Sequence, residues 1–218
     1  MTDPALVLAS ASPRRRELLS ELGLPFEIAA ADIDEAALTS SLGPLAPERL
    51  ALNLATAKAE AMGPAPNTVL LSADTVVAID SRILGKPANA ADAVAMLRLL
   101  RGREHTVATG IAVRAGGRLL TDVASARVTM RPYSDDEIAR SVAGGVPMDK
   151  AGAYAIQDAD FTPVERHDGC YCGVMGLPLW RTAALLRDAG LQPRPPGLAR
   201  CAACPDARLL DTVTGRPV

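Results

Sequence analysis

The sequence predicts an α/β fold in which helices flank a mixed, curved central sheet with a cleft at its strand ends. Residues 68–73 form an almost continuous apolar run, which is typical of a strand buried on both faces. Short strands alternate with helical patterns over the first hundred residues, which favours parallel pairing. Two long strand patterns at 105–114 and 119–130, joined at Gly116-Gly117, predict a hairpin in the second half.

The first strand and helix form one unit near the N-terminus. Leu6 to Leu8 are a short apolar run, as expected of a buried strand. Ser12 is placed to cap the following helix, and Pro13 stands in its first turn, where a missing N–H costs nothing. Gly23 follows the apolar face and predicts the helix end. A strand at 26–31 and an acidic loop at 32–35 come next.

The middle of the chain continues the alternation. A helix is predicted over 47–63, with Lys58 at the border of its apolar face. The strand at 68–73 then brings Asp74 and Thr75 to its end. The remaining predicted elements are a hairpin at 76–87, a helix capped by Asn89 and stopped at Gly102, the two long strands, a helix opened by Ser134 and Glu137, a small-residue segment at 150–157, a strand at 161–165 and a helix at 178–188.

Composition limits the classes of function. The chain has 218 residues, of which 49% are hydrophobic and 22% charged, as in a globular protein with a full core. A formal net charge of −2 and an aromatic content of 3% argue against a surface for duplex or single-stranded nucleic acid. Because we find neither a long apolar run nor a basic signal segment, we expect a cytoplasmic protein without a membrane anchor. We divide it into a domain at 1–191 and a Pro-, Arg- and Cys-containing tail at 192–218, which we expect to be loosely attached.

Three consecutive arginines stand where the first helix begins. Arg14, Arg15 and Arg16 add positive charge at the end of a helix whose free N–H groups already favour anions. Since like charge is unfavourable there, the pattern predicts an anionic partner, and Ser10 supplies a hydroxyl beside it. The sequence therefore indicates a phosphate-binding corner. The alternative is a surface helix with solvated arginines.

Other polar residues follow predicted strand ends and helix starts, where α/β folds place ligand crevices. If they share one cleft, four cations and two carboxylates meet there. In such a polyphosphate site the cations neutralise phosphate oxygens, while the carboxylates hold Mg²⁺ or Mn²⁺ and activate a water. The set comprises the cations Arg14, Arg15, Lys58 and Lys86, the acids Glu35 and Asp74, and the hydrogen-bonding residues Ser10, Thr75 and Gln157.

Several of these residues also have an ordinary structural interpretation. Asp74 can close a turn at a strand end, and Glu35 can lie in a solvated acidic loop. Lys86 can be an exposed lysine, and Gln157 can satisfy buried backbone groups. Only their combination indicates a site.

Seven short motifs occur in order along the chain. They are Ser10-Ala-Ser-Pro-Arg-Arg15, Asp32-Ile-Asp-Glu35, Ala57-Lys-Ala59, Ala73-Asp-Thr-Val-Val77, Gly85-Lys-Pro87, Lys150-Ala-Gly-Ala-Tyr-Ala-Ile-Gln157 and Val174-Met-Gly-Leu-Pro-Leu179. Together they resemble the Maf family of nucleoside triphosphate pyrophosphatases, whose fold is of the ITPase-like type with an active-site cleft. The resemblance runs from about residue 5 to residue 190.

This resemblance implies metal-dependent cleavage of a nucleoside triphosphate between the α and β phosphates, which yields the monophosphate and pyrophosphate. Asp74 matches the proton acceptor for the attacking water and a contact of the metal, and Glu35 matches a residue that assists there. Mg²⁺ or Mn²⁺ is the implied cofactor, and a homodimer is the implied assembly. The positions that match triphosphate binding are Ser10, Arg15, Lys58 and Lys86, of which Lys86 also counts as catalytic.

The resemblance also bears on base choice. Arg14, Thr75 and Gln157 match positions tied to the base and are similar to the branch acting on dTTP and UTP, which implies a role in keeping modified nucleotides out of nucleic acid. Asp158 stands where a glycine is common, and we expect it to place negative charge near the base. CTP, modified nucleotides and 7-methyl-GTP therefore stay as alternative substrates.

A non-catalytic nucleotide-binding regulator of cell division is the alternative outside enzymes. Binding alone needs the cations but has no need of the carboxylates Asp74 and Glu35. Their presence favours catalysis.

All four cysteines lie in the last quarter of the chain. Cys170 and Cys172 form a CxC pair, and Cys201 and Cys204 form a CxxC pair. In a cytoplasmic protein such residues are thiols or metal ligands rather than disulfides. One interpretation is a structural zinc site that pins the tail to the domain, and the other is four free thiols.

Overall fold

The computed structural model describes residues 4–63 and 66–210. Seven strands within these ranges form one sheet. They are β1 (Ala5–Leu8), β2 (Phe26–Ile28), β3 (Thr68–Ile79), β4 (Arg82–Leu84), β5 (Glu104–Ala115), β6 (Arg118–Met130) and β7 (Val164–Asp168). Their order is β2-β1-β3-β5-β6-β7, with β4 paired to β3.

Helices cover the sheet. They are α1 (Pro13–Ser20), α2 (Glu35–Leu42), α3 (Pro47–Ala61), α4 (Ala90–Leu100), α5 (Asp135–Ala143), α6 (Tyr171–Met175), α7 (Leu179–Asp188) and α8 (Ala199–Ala202). Short 3₁₀ turns span Val146–Asp149, Ala151–Ala153 and Pro205–Leu210. No helix in the described ranges has both the length and the apolar character that crossing a bilayer requires.

The predicted mixture of parallel and antiparallel pairing is confirmed. β1 pairs in parallel with β2 and β3, whereas the pairs β3–β4, β3–β5, β5–β6 and β6–β7 are antiparallel. The parallel half corresponds to the alternating N-terminal pattern, and the antiparallel half to the predicted long hairpin. The fold is thus the α/β architecture with a mixed sheet that the sequence predicts.

One edge of strand β3 has a gap in its pairing between the parts that pair with β1 and with β4. On that edge β1 pairs with Thr68–Leu71 and β4 pairs with Val77–Ile79. Residues 72–76 pair with neither strand there, although β5 continues along the opposite edge. Asp74 therefore lies in the middle of a long strand, and the prediction that it ends a strand is wrong. The pairing with β5 carries the chain straight through the position where the sequence indicated a turn.

Helix α3 crosses the sheet at very short range. Gly110 of β5, the partner of Asp74, has no side chain to hold the helix away, and a Cβ there would clash with the backbone carbonyl of Ala51. The Ser72 hydroxyl donates to the Ala55 carbonyl at 2.6 Å. Because the backbones approach so closely, the last turns of α3 bring Lys58 over β3.

Several elements differ from the sequence-based prediction, among them the second strand, which ends at Ile28 and not at residue 31, and helix α8, which was not predicted. The expected acidic loop opens a helix instead, because the Asp34 side chain caps α2 by accepting from the Ala37 N–H at 2.9 Å. The strand expected at 161–165 is shifted to β7. Helix α6 was not predicted, since it has only five residues. The predicted caps Ser12, Asn89 and Ser134 are all observed.

We expected the tail to be loosely attached, and this prediction is wrong for its described part, which packs on the domain. Arg194 N donates to the Leu22 carbonyl at 2.8 Å, and Trp180 Nε1 donates to the Cys201 carbonyl at 2.8 Å. Cys201 and Cys204 belong to the same apolar cluster as α1, β1 and α7. Residues 211–218 of the tail lie outside the described ranges.

Candidate active site

A cavity of about 840 Å³ opens beside the gap in β3. Its walls come from the β1–α1 connection, α2, α3, β3, the end of β4, the segment 149–157 and the end of α6. Every residue of the predicted polyphosphate site lines it: Ser10, Arg14, Arg15, Glu35, Lys58, Asp74, Thr75, Lys86 and Gln157.

The floor of this cavity is a buried ion pair. Lys58 Nζ on α3 donates a hydrogen bond to Asp74 Oδ1 on β3, and the two residues are only 8% and 6% exposed. The same ammonium lies 2.8 Å from Glu35 Oε1, so two carboxylates converge on one cation. We call these three residues the lysine–carboxylate floor.

The two carboxylates have different proton affinities. Burial raises the pKa of Asp74 above its ordinary value, although the charges of Lys58 and Arg15 act against this rise. Burial alone would also raise the pKa of Glu35, but the hydrogen bond and charge of Lys58, aided by Lys86, hold it below the ordinary value. A carboxylate with raised proton affinity is suited to accept a proton, whereas one with lowered affinity stays ionised beside a cation.

Arg15 is turned from α1 into the cavity and held by three elements. Its Nε donates to the Gly176 carbonyl at 2.9 Å, its Nη2 to Thr75 Oγ1 at 3.2 Å and its Nη1 to Ser10 Oγ at 3.3 Å. Burial lowers the pKa of Arg15, yet an arginine remains charged at neutral pH. This guanidinium is therefore a fixed positive charge beside the floor.

The three arginines of α1 have separate surroundings. Arg15 points into the cavity, Arg16 is exposed, and Arg14 Nη1 lies 3.3 Å from Asp149 Oδ2 on the opposite wall. The Ser12 side chain caps the helix by accepting from Arg15 N. The solvated-helix alternative thus describes Arg16, whereas Arg14 and Arg15 line the predicted corner.

The opposite wall is the segment 149–157, which we call the outer wall. Gly152 has a φ of 71° and lies against Val77, so that a side chain here would be strained. Its N–H donates to the Gly85 carbonyl at 3.0 Å, which fixes the wall to the end of β4 beside Lys86. Asp149 accepts from Lys150 and pairs with Arg14, and Gln157 closes the far end of the wall.

Asp158 does not place its charge in the cavity as the sequence analysis expected. Its Oδ1 accepts from the N–H groups of Asp160 and Phe161 at 3.1 and 3.0 Å. Among the described residues that line the cavity, Asp158 is absent. The carboxylate stabilises a turn, and the prediction of a negative charge near the base is wrong.

Sequence reasoning missed three residues that support the site. Thr109 bridges Thr75 Oγ1 at 2.9 Å and the Gly173 carbonyl at 2.8 Å. His105 Nε2 lies 2.7 Å from the hydroxyl of Tyr154 on the outer wall. Asp149 was missed too. No local pattern marks these residues, because each acts on a partner at least 34 positions away, apart from the neighbouring Lys150.

The floor fits a hard divalent cation. The carboxylates of Glu35 and Asp74 already point at one positive charge, the ammonium of Lys58. Mg²⁺ is commonly bound by one or two protein carboxylates together with substrate phosphates. The donor set is therefore of the type that the resemblance implies.

Comparison with known proteins places these features in a family. The family model described as Maf-like protein matches residues 5–189. A dTTP/UTP pyrophosphatase of Thermomicrobium roseum is 51% identical over 85% of this chain and 84% of its own. A dTTP/UTP pyrophosphatase of Chromobacterium violaceum is 45% identical over 87% of this chain and 97% of its own.

Among solved structures, a HAM1 protein from Coxiella burnetii covers 85% of this chain with all of its own. That likeness has a TM-score of 0.49 at 16% identity. The family is shown by the match of the family model over residues 5–189 and by the relatives at 51% and 45% identity. This chain belongs to the Maf family.

Proposed function

We propose that this protein hydrolyses nucleoside triphosphates, dTTP and UTP first among them, to the nucleoside monophosphate and pyrophosphate. The observation that carries the proposal is the lysine–carboxylate floor, in which a buried Asp74 with raised proton affinity faces a cavity lined by cations. Relatives named dTTP/UTP pyrophosphatases at 51% and 45% identity support the substrate class.

The cations bind the triphosphate. Arg15, Lys58 and Lys86 line the same cavity, and Ser10 adds a hydroxyl beside Arg15. A triphosphate carries several negative charges, so that these groups both attract it and spread the charge that develops as the anhydride breaks. Because Arg15 has three hydrogen-bond partners, it is held in position before substrate arrives.

Asp74 acts as the general base in this proposal. It accepts a proton from a water whose oxygen attacks the α-phosphorus. The bond between that phosphorus and the oxygen bridging to the β-phosphate breaks, and its electron pair leaves with pyrophosphate. Burial favours the reaction because it raises the proton affinity of the carboxylate, and Lys58 holds the side chain in place.

Glu35 and Asp74 are the residues proposed to hold Mg²⁺ or Mn²⁺. The bound ion supplies charge neutralisation at the phosphates and increases the acidity of a nearby water. Glu35 is suited to this role because its lowered pKa keeps it ionised. The side-chain exposure of Glu35 is 49%, which leaves its oxygens accessible from the cavity.

Gln157 of the outer wall, together with Arg14 of α1 and Thr75 of β3, is proposed to select the base. Arg14, Thr75 and Gln157 line the cavity, and hydrogen bonds from such groups discriminate strongly between substrates. With Asp158 committed to its turn, the reason for expecting CTP among the substrates is removed. A preference for dTTP and UTP, and a role in excluding modified nucleotides, are the interpretations we favour.

Two alternatives define the test. One is the same reaction on another base, such as CTP, a modified nucleotide or 7-methyl-GTP. The other is a nucleotide-binding regulator of cell division without catalysis. The Lys58–Asp74 pair argues against the regulator, because a buried carboxylate facing bound phosphates does not help to bind them, whereas a general base requires one.

The experiment measures pyrophosphate release, with inorganic pyrophosphatase added, across dTTP, UTP, CTP and 7-methyl-GTP. We expect turnover of dTTP and UTP that stops in excess chelator and returns with Mg²⁺ or Mn²⁺. Retention of nucleotide without pyrophosphate release would support the regulator. Turnover that continues undiminished in chelator would remove the metal from the mechanism.

The assembly and location remain predictions. A homodimer in the cytoplasm is what the sequence led us to expect, and light scattering coupled to gel filtration measures the first. The division into a domain at 1–191 and a tail at 192–218 is likewise proposed, and truncation after residue 191 tests whether the domain folds alone.

A further inference from the structure

The four cysteines of the chain meet at one place outside the cavity. Cys170 and Cys172 lie at the start of α6, whereas Cys201 and Cys204 lie in the tail at and just after α8. They are 4%, 1%, 1% and 9% exposed in that order. The fold thus brings both pairs into one buried cluster, although about 30 residues separate them in the sequence.

The sulfur atoms are arranged as two adjoining pairs. Cys172 Sγ lies 3.2 Å from Cys201 Sγ. Cys170 Sγ, Cys204 Sγ and a carboxylate oxygen of Asp206 lie within 4.8 Å of one another. Each pair therefore joins one cysteine of the α6 segment to one of the tail.

The sulfurs of the first pair are not bonded to each other, and they lie near the separation of two zinc ligands. Zinc–sulfur bonds of about 2.3 Å in a tetrahedron separate the sulfurs by about 3.8 Å. The 3.2 Å between Cys172 Sγ and Cys201 Sγ is somewhat shorter than this value. A disulfide requires about 2.0 Å and the removal of two electrons by an oxidant.

A backbone group near the cluster also supports one of the ligands. Cys170 Sγ already accepts an N–H from Gly173 at 3.3 Å, an interaction that stabilises a thiolate ligand.

Asp206 is not a good candidate for the fourth ligand. Both of its carboxylate oxygens accept from Arg181, at 2.8 and 2.7 Å. The Arg181 guanidinium compensates its charge, so that binding a metal would break a bidentate pair. Thiolate ligands, moreover, favour zinc over the harder cations that prefer carboxylates.

We propose that Cys170, Cys172, Cys201 and Cys204 together bind one zinc ion, which fastens the tail segment 199–204 to α6. Closing the site requires the two sulfur pairs to approach each other, with each thiol releasing its proton as it binds. The ion joins α6 and the tail segment by four metal–sulfur bonds, where apolar contacts alone would otherwise hold them together.

The position of the site gives it a consequence for the cavity. Helix α6 and its C-cap residue carry the carbonyl groups that hold Thr109 and Arg15, which are those of Gly173 and Gly176. A fixed α6 therefore holds the Arg15 guanidinium in place. Loss of the metal is expected to weaken triphosphate binding more than it slows the chemical step.

The test uses the full chain purified under reducing conditions without chelator. Elemental analysis by mass spectrometry is expected to find about one zinc per chain, and the Cys201→Ser/Cys204→Ser variant is expected to lose it. The matched control is Asp206→Asn, which removes the nearby carboxylate and is expected to keep the zinc. Loss of zinc in the control would overturn the four-sulfur ligand set.

Two further readouts keep the proposal testable if the double variant fails to fold. Replacing zinc by Co²⁺ in the unaltered chain is expected to give the strong visible absorption of a tetrahedral thiolate site. Intact-mass and thiol titration measurements on a second preparation, purified without reductant and denatured in chelator, are expected to find four free thiols. A chain with four free thiols and no bound zinc overturns the proposal, and so does a chain with two disulfides.

Discussion

The floor and the outer wall of the cavity each carry an ion pair, and the two pairs differ in their contact with water. The side chains of Lys58 and Asp74 are each 9% exposed, whereas those of Arg14 and Asp149 are 24% and 60% exposed. Water screens the outer pair, so that its contribution to stability is small. The buried pair has lost its hydration, and its attraction must offset that loss.

This difference indicates that the buried pair serves the reaction more than the stability of the fold. A buried ion pair is weak evidence for stability, since apolar residues of similar size often serve the fold as well. What the floor gains is a carboxylate with raised proton affinity, positioned by a lysine beside an open cavity. The outer pair has neither property. We therefore expect substitutions on the floor to affect turnover, and those on the outer wall to affect selectivity and stability.

The largest effect is expected from Asp74→Asn. Loss of a general base lowers kcat by about 10²–10⁴-fold, which corresponds to about 3–5 kcal/mol of transition-state stabilisation. Nucleotide binding should survive, because Glu35 still offers a carboxylate to the metal and the lost negative charge near phosphate does not assist binding. Steady-state turnover of UTP and equilibrium binding measure the two quantities.

Asp149→Asn is the matched control, since it makes the same change at an exposed carboxylate in the same cavity. Its effect on kcat should be far smaller. Equal losses in the two variants would show that the cavity responds to any change of charge, and would contradict the role of Asp74.

The next largest effect is a loss of stability at low pH that depends on His105, the partner of Tyr154 in the outer wall. Burial lowers the pKa of His105 to about 4 from its ordinary value of 6.5, and its Nδ1 has no hydrogen-bond partner among the described residues. The unfolded chain binds a proton more readily, so that the stability His105 contributes is present above pH 6.5 and is lost as the pH falls toward 4. The difference amounts to about 3 kcal/mol.

His105→Gln should therefore reduce the loss of unfolding free energy between pH 7 and pH 4.5, as measured by urea denaturation. The chain has one other histidine, the exposed His167, so that His167→Gln is the control for the substitution itself. An unaltered pH profile in the His105 variant would mean that other groups cause the acid sensitivity.

A smaller effect is expected at Gln157, at the far end of the outer wall. Losing a hydrogen bond to the base costs about 1–3 kcal/mol, or about five- to 150-fold in selectivity. Gln157→Ala should lower kcat/KM for UTP and dTTP and narrow the gap to other nucleotides.

The exposed glutamine Gln192 provides the control for this test, because Gln192→Ala should alter neither value. A uniform fall for all nucleotides in the Gln157 variant would show that the residue shapes the wall without contacting the base. If the unaltered protein prefers 7-methyl-GTP to UTP, the assignment to the dTTP and UTP branch is wrong.

The smallest effect is expected from the Arg14–Asp149 pair in the absence of substrate. Breaking it in Asp149→Asn should lower the free energy of unfolding by less than about 1 kcal/mol. The change should shrink further as salt is added, because the pair is exposed and screened. A large change that does not depend on salt would show that water does not screen the Arg14–Asp149 pair. The contrast between the outer wall and the lysine–carboxylate floor would then be wrong.

The sequence by itself determined the local elements and the membership of the site. Ser12, Asn89 and Ser134 cap their helices because each cap is a hydrogen bond between residues only three positions apart. The candidate residues could be chosen because phosphate chemistry demands particular types of side chain, and all nine line one cavity. Both conclusions depend on short-range pattern or on residue chemistry.

Only the tertiary structure decided the geometry around those residues. Asp74 lies within a strand because β5 pairs past it, and it faces an opening because β1 stops before it and β4 begins after it. Lys58 reaches it because Gly110 lets α3 approach the sheet. A strand's edge partners and a helix's distance from the sheet are set by segments remote in the chain, and no local window of sequence contains them.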